Sequence, residues 1–142
     1  METLELKHLA PYLPYGLKMI YVHTNKIGQI SNIYTLGSGY NNDDIKISID
    51  YSEGEHIWMY KPILRPLSDL TKEIEIDGEK IVISNEYGYY RFDEMSTLKG
   101  GSVILSSIML KEYEIILKYH FDIFGLIEKG FAIDINTLNN QP

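Results

Sequence analysis

Acid–base catalysis or metal binding near neutral pH would draw first on the histidines, and the chain has four: His8, His23, His56 and His120. No two stand at the close spacing of a metal motif such as His-Glu-x-x-His. There is no cysteine, which excludes a thiolate nucleophile, a disulfide framework and a Cys-based metal site. No metal and no cofactor is therefore expected. His120 stands two residues before Asp122, so a His–carboxylate pair is the one catalytic arrangement within short reach, and both are weak polar-site candidates. His120 also falls on the apolar stripe of a helix, where a packed histidine is the ordinary role. Gly-x-Ser-x-Gly is absent, and Gly37-Ser38-Gly39 reads as a flexible loop. The phosphate loop Gly-x-x-x-x-Gly-Lys-Ser/Thr is absent too, and Gly100-Gly101-Ser102 reads as a hinge into a helix. Asp43, Asp44, Asp50, Glu53 and Glu55 supply carboxylates of the kind that act on sugars or hold magnesium. Strand and loop positions make them a solvated face instead. No residue is assigned a catalytic role.

Recognition chemistry is better represented. Lys61 and Arg65 flank one proline-stiffened turn, and Tyr12 and Tyr15 flank another. Stiff loops lose little entropy on binding, and Arg and Tyr are favoured at interface hot spots. These four residues are the candidate partner contacts. Twelve tyrosines is a high count; most read as sheet residues with wet hydroxyls, and a subset would suit a recognition surface.

The elements that would position these groups read as α+β. In residues 4–16, Leu6, Leu9 and Leu13 fall at helical spacing, but Pro11 and Pro14 forbid a long helix. Short helical turns packing those leucines inward are expected, with Gly16 letting the chain turn. Residues 17–24 and 27–36 read as strands joined at Asn25-Lys26, with Gly28 as a bulge. Residues 37–44 read as a loop. Ile45, Ile47, Ile49 and Tyr51 alternate with Lys46, Ser48 and Asp50, the pattern of a half-buried strand. Ser52-Glu53-Gly54 reads as a three-residue hairpin loop with a left-handed glycine, and 55–60 as the return strand. The four strands make an antiparallel meander.

Residues 61–72 read as a stiff connector with a short helix beginning at Pro66. Asp77-Gly78 predicts a type I′ hairpin over 73–83, pairing Ile76 with Glu79, Glu75 with Lys80 and Ile74 with Ile81. Residues 84–102 read as irregular. A main helix over 107–121 carries an apolar stripe through Met109, Tyr113, Ile116, Leu117, His120 and Phe124. Residues 138–142 read as a frayed tail. One domain spans 1–142, with the helix covering the sheet.

Composition narrows the function classes. The net charge is −7, and only two of the thirteen cationic residues are arginines, Arg65 and Arg91. Nucleic-acid binding relies on gathered basic residues, so the charge argues against it. An acidic surface suits solubility or a basic protein partner. Glu2 and Glu5 interrupt any signal-peptide pattern, and apolar runs are far shorter than the about 20 residues of a spanning helix. A cytoplasmic protein without membrane association is expected.

Three segments carry a resemblance: LKHLAPYLPYGLK (residues 6–18), KPILRPLSDLTKEIE (61–75) and YHFDIFGLIEKGFAIDIN (119–136). Together they resemble a family of short, uncharacterised proteins encoded by bacteriophages and prophages. The resemblance implies expression in an infected bacterial cytoplasm beside phage genes, and it brings no activity with it. The leading expectation is a non-enzymatic phage accessory protein that binds a host or phage protein. An inhibitor of host defence is one version, and a homo-oligomer fits the same features. The first alternative is a small enzyme or small-ligand binder whose site assembles from His120, Asp122, Arg65 and the acidic strands. The second is a nucleic-acid accessory protein. Whether the 6–18 and 61–75 blocks meet in space decides between a site and a scaffold.

Overall fold

The computed structural model describes residues 4–35, 45–87, 92 and 110–138. The expected 37–44 loop, the greater part of 88–109, and residues 139–142 lie outside the described residues.

The fold is α+β. Among the described residues, a six-stranded mixed sheet, a separate two-stranded hairpin and four short α-helices share one core. The sheet strands are β1 (Lys18–Tyr21), β2 (Ile27–Thr35), β3 (Ile45–Ile49), β4 (Ser52–His56), β5 (Tyr60–Leu64) and, after the hairpin strands β6 (Glu73–Ile76) and β7 (Glu79–Val82), β8 (Ile133–Asp134). The helices are α1 (Leu6–Leu9), α2 (Ile83–Tyr87), α3 (Leu110–Lys118) and α4 (Ile135–Leu138). Strand order is β4-β3-β2-β1-β5-β8, so β1 to β4 form the expected antiparallel meander.

The period-two pattern of β3 sets its faces: Ile45, Ile47 and Ile49 are buried and Lys46 and Ser48 are half-buried. Each buried isoleucine contributes about 1.5–3 kcal/mol. Tyr51, expected to continue that face, sits instead in a two-residue turn with Asp50, because Ile49 pairs directly with Ser52. Gly54 is left-handed (φ 70°), as expected, but it occupies a bulge inside β4 where Glu53 and Gly54 oppose Ser48 alone. The bulge of β2 falls at Ser31, between the Ile30–Ile49 and Asn32–Ser48 pairs, and Gly28 pairs regularly with Met19. Glycine is needed at position 28 for another reason. A Cβ there would lie 2.6 Å from both Asp50 Oδ1 and the Tyr51 ring.

The largest departure from the expected layout is residues 61–64. They are not a connector but strand β5, inserted between β1 and β8. Pro62 pairs with Met19 on one side, while β8 begins pairing only at Ile63. The missing N–H of Pro62 therefore leaves no ladder bond to β8 unmade. Trp58, expected on a strand, lies in a 3-10 turn (Ile57–Met59) and is 51% exposed. Pro66 precedes the 3-10 turn Leu67–Thr71 as expected.

The hairpin has the predicted register throughout, with Asp77 (φ 51°) and Gly78 (φ 84°) both left-handed. Ile83, expected to end the hairpin, instead opens helix α2, which takes in residues 84–87 of the segment expected to be irregular and buries Ile83. The main helix, expected over 107–121, is described from Leu110 to Lys118 and buries Ile115, Ile116 and Leu117. His120 follows it with a left-handed backbone (φ 62°) that ends the helix, which is why this histidine leaves the stripe.

Candidate functional site

The three resembling blocks meet. Arg65 at the end of β5 forms a parallel bridge to Phe121: its N–H donates to the His120 carbonyl at 2.8 Å, and its carbonyl accepts from the Asp122 N–H at 2.8 Å. His120 Nε2 donates to the Tyr15 carbonyl at 2.6 Å. A carbonyl can only accept, so this bond fixes the proton on Nε2 in the neutral ring. Residues 105 apart in sequence are thereby tied to one strand end.

Strand alternation sorts the side chains of this region onto two faces. Leu17, Met19, Tyr60 and Leu64 enter the core cluster. Lys18, Ile20, Lys61, Ile63 and Arg65 alternate with them and occupy the outer face of β1 and β5. Ile20 and Ile63 are buried there, at 5% and 6% exposure, outside the main core cluster. Beside this face lies an open cleft of about 620 Å³. Pro14, Tyr15, Lys18, Arg65, Tyr119 and His120 line it, with Glu75 and Asp77 on its hairpin side. Lys118 also lines it, with Nζ 5.3 Å from the centre of the Tyr119 ring. The Tyr119 hydroxyl shares a 2.6 Å hydrogen bond with that of Tyr87.

The cleft holds two acids, Glu75 and Asp77, beside its cations. Lys18, Lys61, Arg65 and Lys118 form no ion pair among the described residues; the three ion pairs found there are Lys7–Glu5, Lys72–Asp69 and Lys80–Glu73. In the last, Lys80 reaches diagonally to Glu73 and not to Glu75, its cross-strand partner. Arg65 is half-buried, yet its guanidinium makes one long bond, 3.4 Å from Nη2 to the Glu75 carbonyl. Burial lowers its basicity, and Asp69 partly restores it. The His120 pKa is lowered by burial above all, and further by the positive charges of Arg65 and Lys18.

The expected residues therefore separate into three groups. Tyr15 and Arg65 line the cleft, and Lys61 lies on the adjoining outer face of β5. Tyr12, expected as a contact, is a core residue. It is wholly buried, its hydroxyl donates to the Phe121 carbonyl and accepts from the Ile123 N–H at 3.3 Å, and burial raises its pKa well above 10. A 3-10 turn over Ala10–Tyr15 turns Tyr12 inward and leaves Tyr15 half-exposed. Asp122 is likewise structural. Its carboxylate accepts from Leu126 N–H (2.8 Å) and Ile127 N–H (2.9 Å), and burial raises its pKa despite those bonds. With the His120 ring on Tyr15 and the Asp122 carboxylate on the 123–127 turn, the two do not form a catalytic pair. Among the described residues no group of three or more His, Asp and Glu is placed to hold a metal ion. The described acids of the β3–β4 end, Asp50 and Glu55, do not line the cleft.

Sequence reasoning missed Lys18 and Tyr119. The signal for Lys18 was its alternation with Leu17 and Met19, which becomes informative only once β5 is known to be its neighbour. Among the described residues no helix is long and apolar enough to cross a membrane. No protein-family model, no curated protein and no solved structure matches the chain.

Proposed function

We propose that the chain is a non-enzymatic phage accessory protein that binds a host or phage protein in the bacterial cytoplasm, using the outer face of β1 and β5 and the adjoining cleft. The observation that supports this reading is the convergence of Tyr15, Lys61 and Arg65 with Lys18 and Tyr119 on one accessible face. These are residue types that carry binding energy when a partner excludes water from them. The two polar groups best suited to catalysis, His120 and Asp122, are occupied in holding backbone. The resemblance of three blocks to phage-encoded proteins fits the same reading, since all three supply residues to the cleft.

The test is an affinity pull-down of the tagged full chain from bacterial lysate, with and without nuclease, read by mass spectrometry. The expected result is one stoichiometric protein that survives nuclease and is lost with Tyr15→Ala and with Arg65→Met, both variants keeping the parent's unfolding midpoint. Retention of that protein by both variants, or the absence of any partner, would sink the proposal.

A further inference from the structure

We propose that the partner meets this face through an acidic segment, whose side-chain carboxylates sit on Lys18 and Arg65 in the cleft and on Lys61 of the adjoining sheet face. The inference rests on the binding-protein reading above and adds the chemistry of what is bound. In a chain of net charge −7, three cations line the cleft, Lys18, Arg65 and Lys118, with the His120 ring among them, and Lys61 lies on the adjoining face of β5. None of the four has a carboxylate within ion-pairing distance among the described residues. The two acids that line the cleft, Glu75 and Asp77, belong to the hairpin edge, and Arg65 takes the Glu75 carbonyl instead of its carboxylate.

A half-buried guanidinium with most of its donors unused among the described residues is matched to a planar carboxylate, which can accept two parallel N–H bonds. Lys18 and Lys61 lie on neighbouring strands of the same face, and Ile20 and Ile63 lie between the charged groups. Cations on neighbouring strands of one face suit an extended segment that presents its acids along one side. The remaining surface argues against a polyanion. Beyond a Debye length of about 8 Å the net negative charge is screened for a short segment, but a nucleic acid would run across it.

The experiment titrates the isotope-labelled full chain with four probes and reads backbone amide shifts: a synthetic peptide alternating glutamate and glycine, its lysine counterpart, oligothymidylate and inorganic phosphate. The glutamate peptide is expected to move the signals of residues 18–20, 61, 63–65 and 118–120, and the lysine peptide to leave them in place. Binding should weaken as salt rises from about 50 to about 300 mM. Lys18→Met with Lys61→Met, which keeps side-chain length, is expected to weaken the glutamate peptide at least about tenfold with the unfolding midpoint unchanged. Unmoved signals, or equal binding by the double variant, overturn the inference. So does tighter binding of phosphate or oligothymidylate, which would reassign the face to a free anion or a nucleic acid. If the lysate partner is lost with Tyr15→Ala but kept by the lysine double variant, the acidic chemistry fails while the binding-protein reading stands.

Discussion

Replacing Tyr12 by phenylalanine separates a core residue from a contact residue more cleanly than any other single change in this chain. The ring stays, buried beside Phe124 in an edge-on arrangement with centroids 6.2 Å apart. Only the hydroxyl goes, and with it one bond to the Phe121 carbonyl and one from the Ile123 N–H. Each such bond is worth about 0.5–1.5 kcal/mol net, and a buried group left with no partner costs about 1–3 kcal/mol. Neither backbone group is left alone, because the Ile123 N–H also donates to the Phe121 carbonyl at 3.0 Å. The loss therefore lies near the sum of two modest bonds, about 1–2 kcal/mol. Tyr12→Ala removes the ring as well and should cost about 3–5 kcal/mol. Urea unfolding at neutral pH measures both. An alkaline series adds a sign test. Burial raises the Tyr12 pKa, so the folded state holds its proton after the unfolded chain begins to lose it near pH 10. Its contribution to stability then falls as pH rises through 10, and the gap between parent and Tyr12→Phe should narrow there. A Tyr12→Phe variant within about 0.3 kcal/mol of the parent, or a Tyr12→Ala variant that loses partner binding at unchanged stability, would refute the assignment to the core.

Four further outcomes are expected. His120→Asn keeps a residue suited to φ 62°, and it should flatten the acid side of the stability profile: the lowered pKa means the parent loses stability as pH falls below 6.5, and thermal unfolding from about pH 7 to about pH 5 measures the difference. Asp122→Ala leaves two amide donors of the 123–127 turn without their acceptor and should cost about 1–3 kcal/mol in chemical denaturation, with Asp122→Asn recovering part of it. Gly28→Ala forces Tyr51 and Asp50 aside and should cost about 1–3 kcal/mol, visible also as loss of the Lys26–Tyr51 contact (Nζ 3.9 Å from the ring centre) in Tyr51 ring shifts. Gly78→Ala strains the left-handed second turn residue of the hairpin and should cost about 1 kcal/mol, measured by the same unfolding assay.

The parts of the fold legible in the sequence are those whose signals are local. The register of the β6–β7 hairpin was legible, because turn chemistry at Asp77-Gly78 and face pattern at Ile74, Ile76 and Ile81 agree, although Ile83, expected on the same face, opens α2 instead. The faces of β3 followed from strict alternation, whereas helical spacing gave only Ile116 and Leu117 of the buried side of α3, which also takes in Glu112 and Ile115. What escaped depends on neighbours. Strand β5 carries Pro62, which argues for a connector until β8 is seen to start one residue later. Strand β8 itself is two residues long, Ile133–Asp134, too short to leave a periodic pattern. The left-handed Gly54 was legible, but a hairpin loop and a bulge ask for the same glycine, and only pairing distinguishes them.

The candidate site divides along the same line. Arg65 and Tyr15 were legible because proline-flanked Arg and Tyr are recognition residues by type. The inward turn of Tyr12 was not, since it depends on the bonds of its hydroxyl to residues 121 and 123, over a hundred positions away. His120 and Asp122 are adjacent enough in sequence to suggest a pair. The left-handed turn at 120 sends the ring to Tyr15, while the carboxylate faces the following turn. Short spacing here reflects a chain reversal that needs both polar groups for its own backbone.

The most direct measurement of the central claim is site-specific photocrosslinking of the full chain inside producing bacteria. The reactive side chain is placed at Lys61, at Lys18 and, as a control, at exposed Trp58 in the β4–β5 turn. The account predicts the same protein adduct from positions 61 and 18, none from 58, and attachment within an acidic segment of that partner. An adduct from position 58 alone, or adducts at 61 and 18 only to nucleic acid, would contradict it.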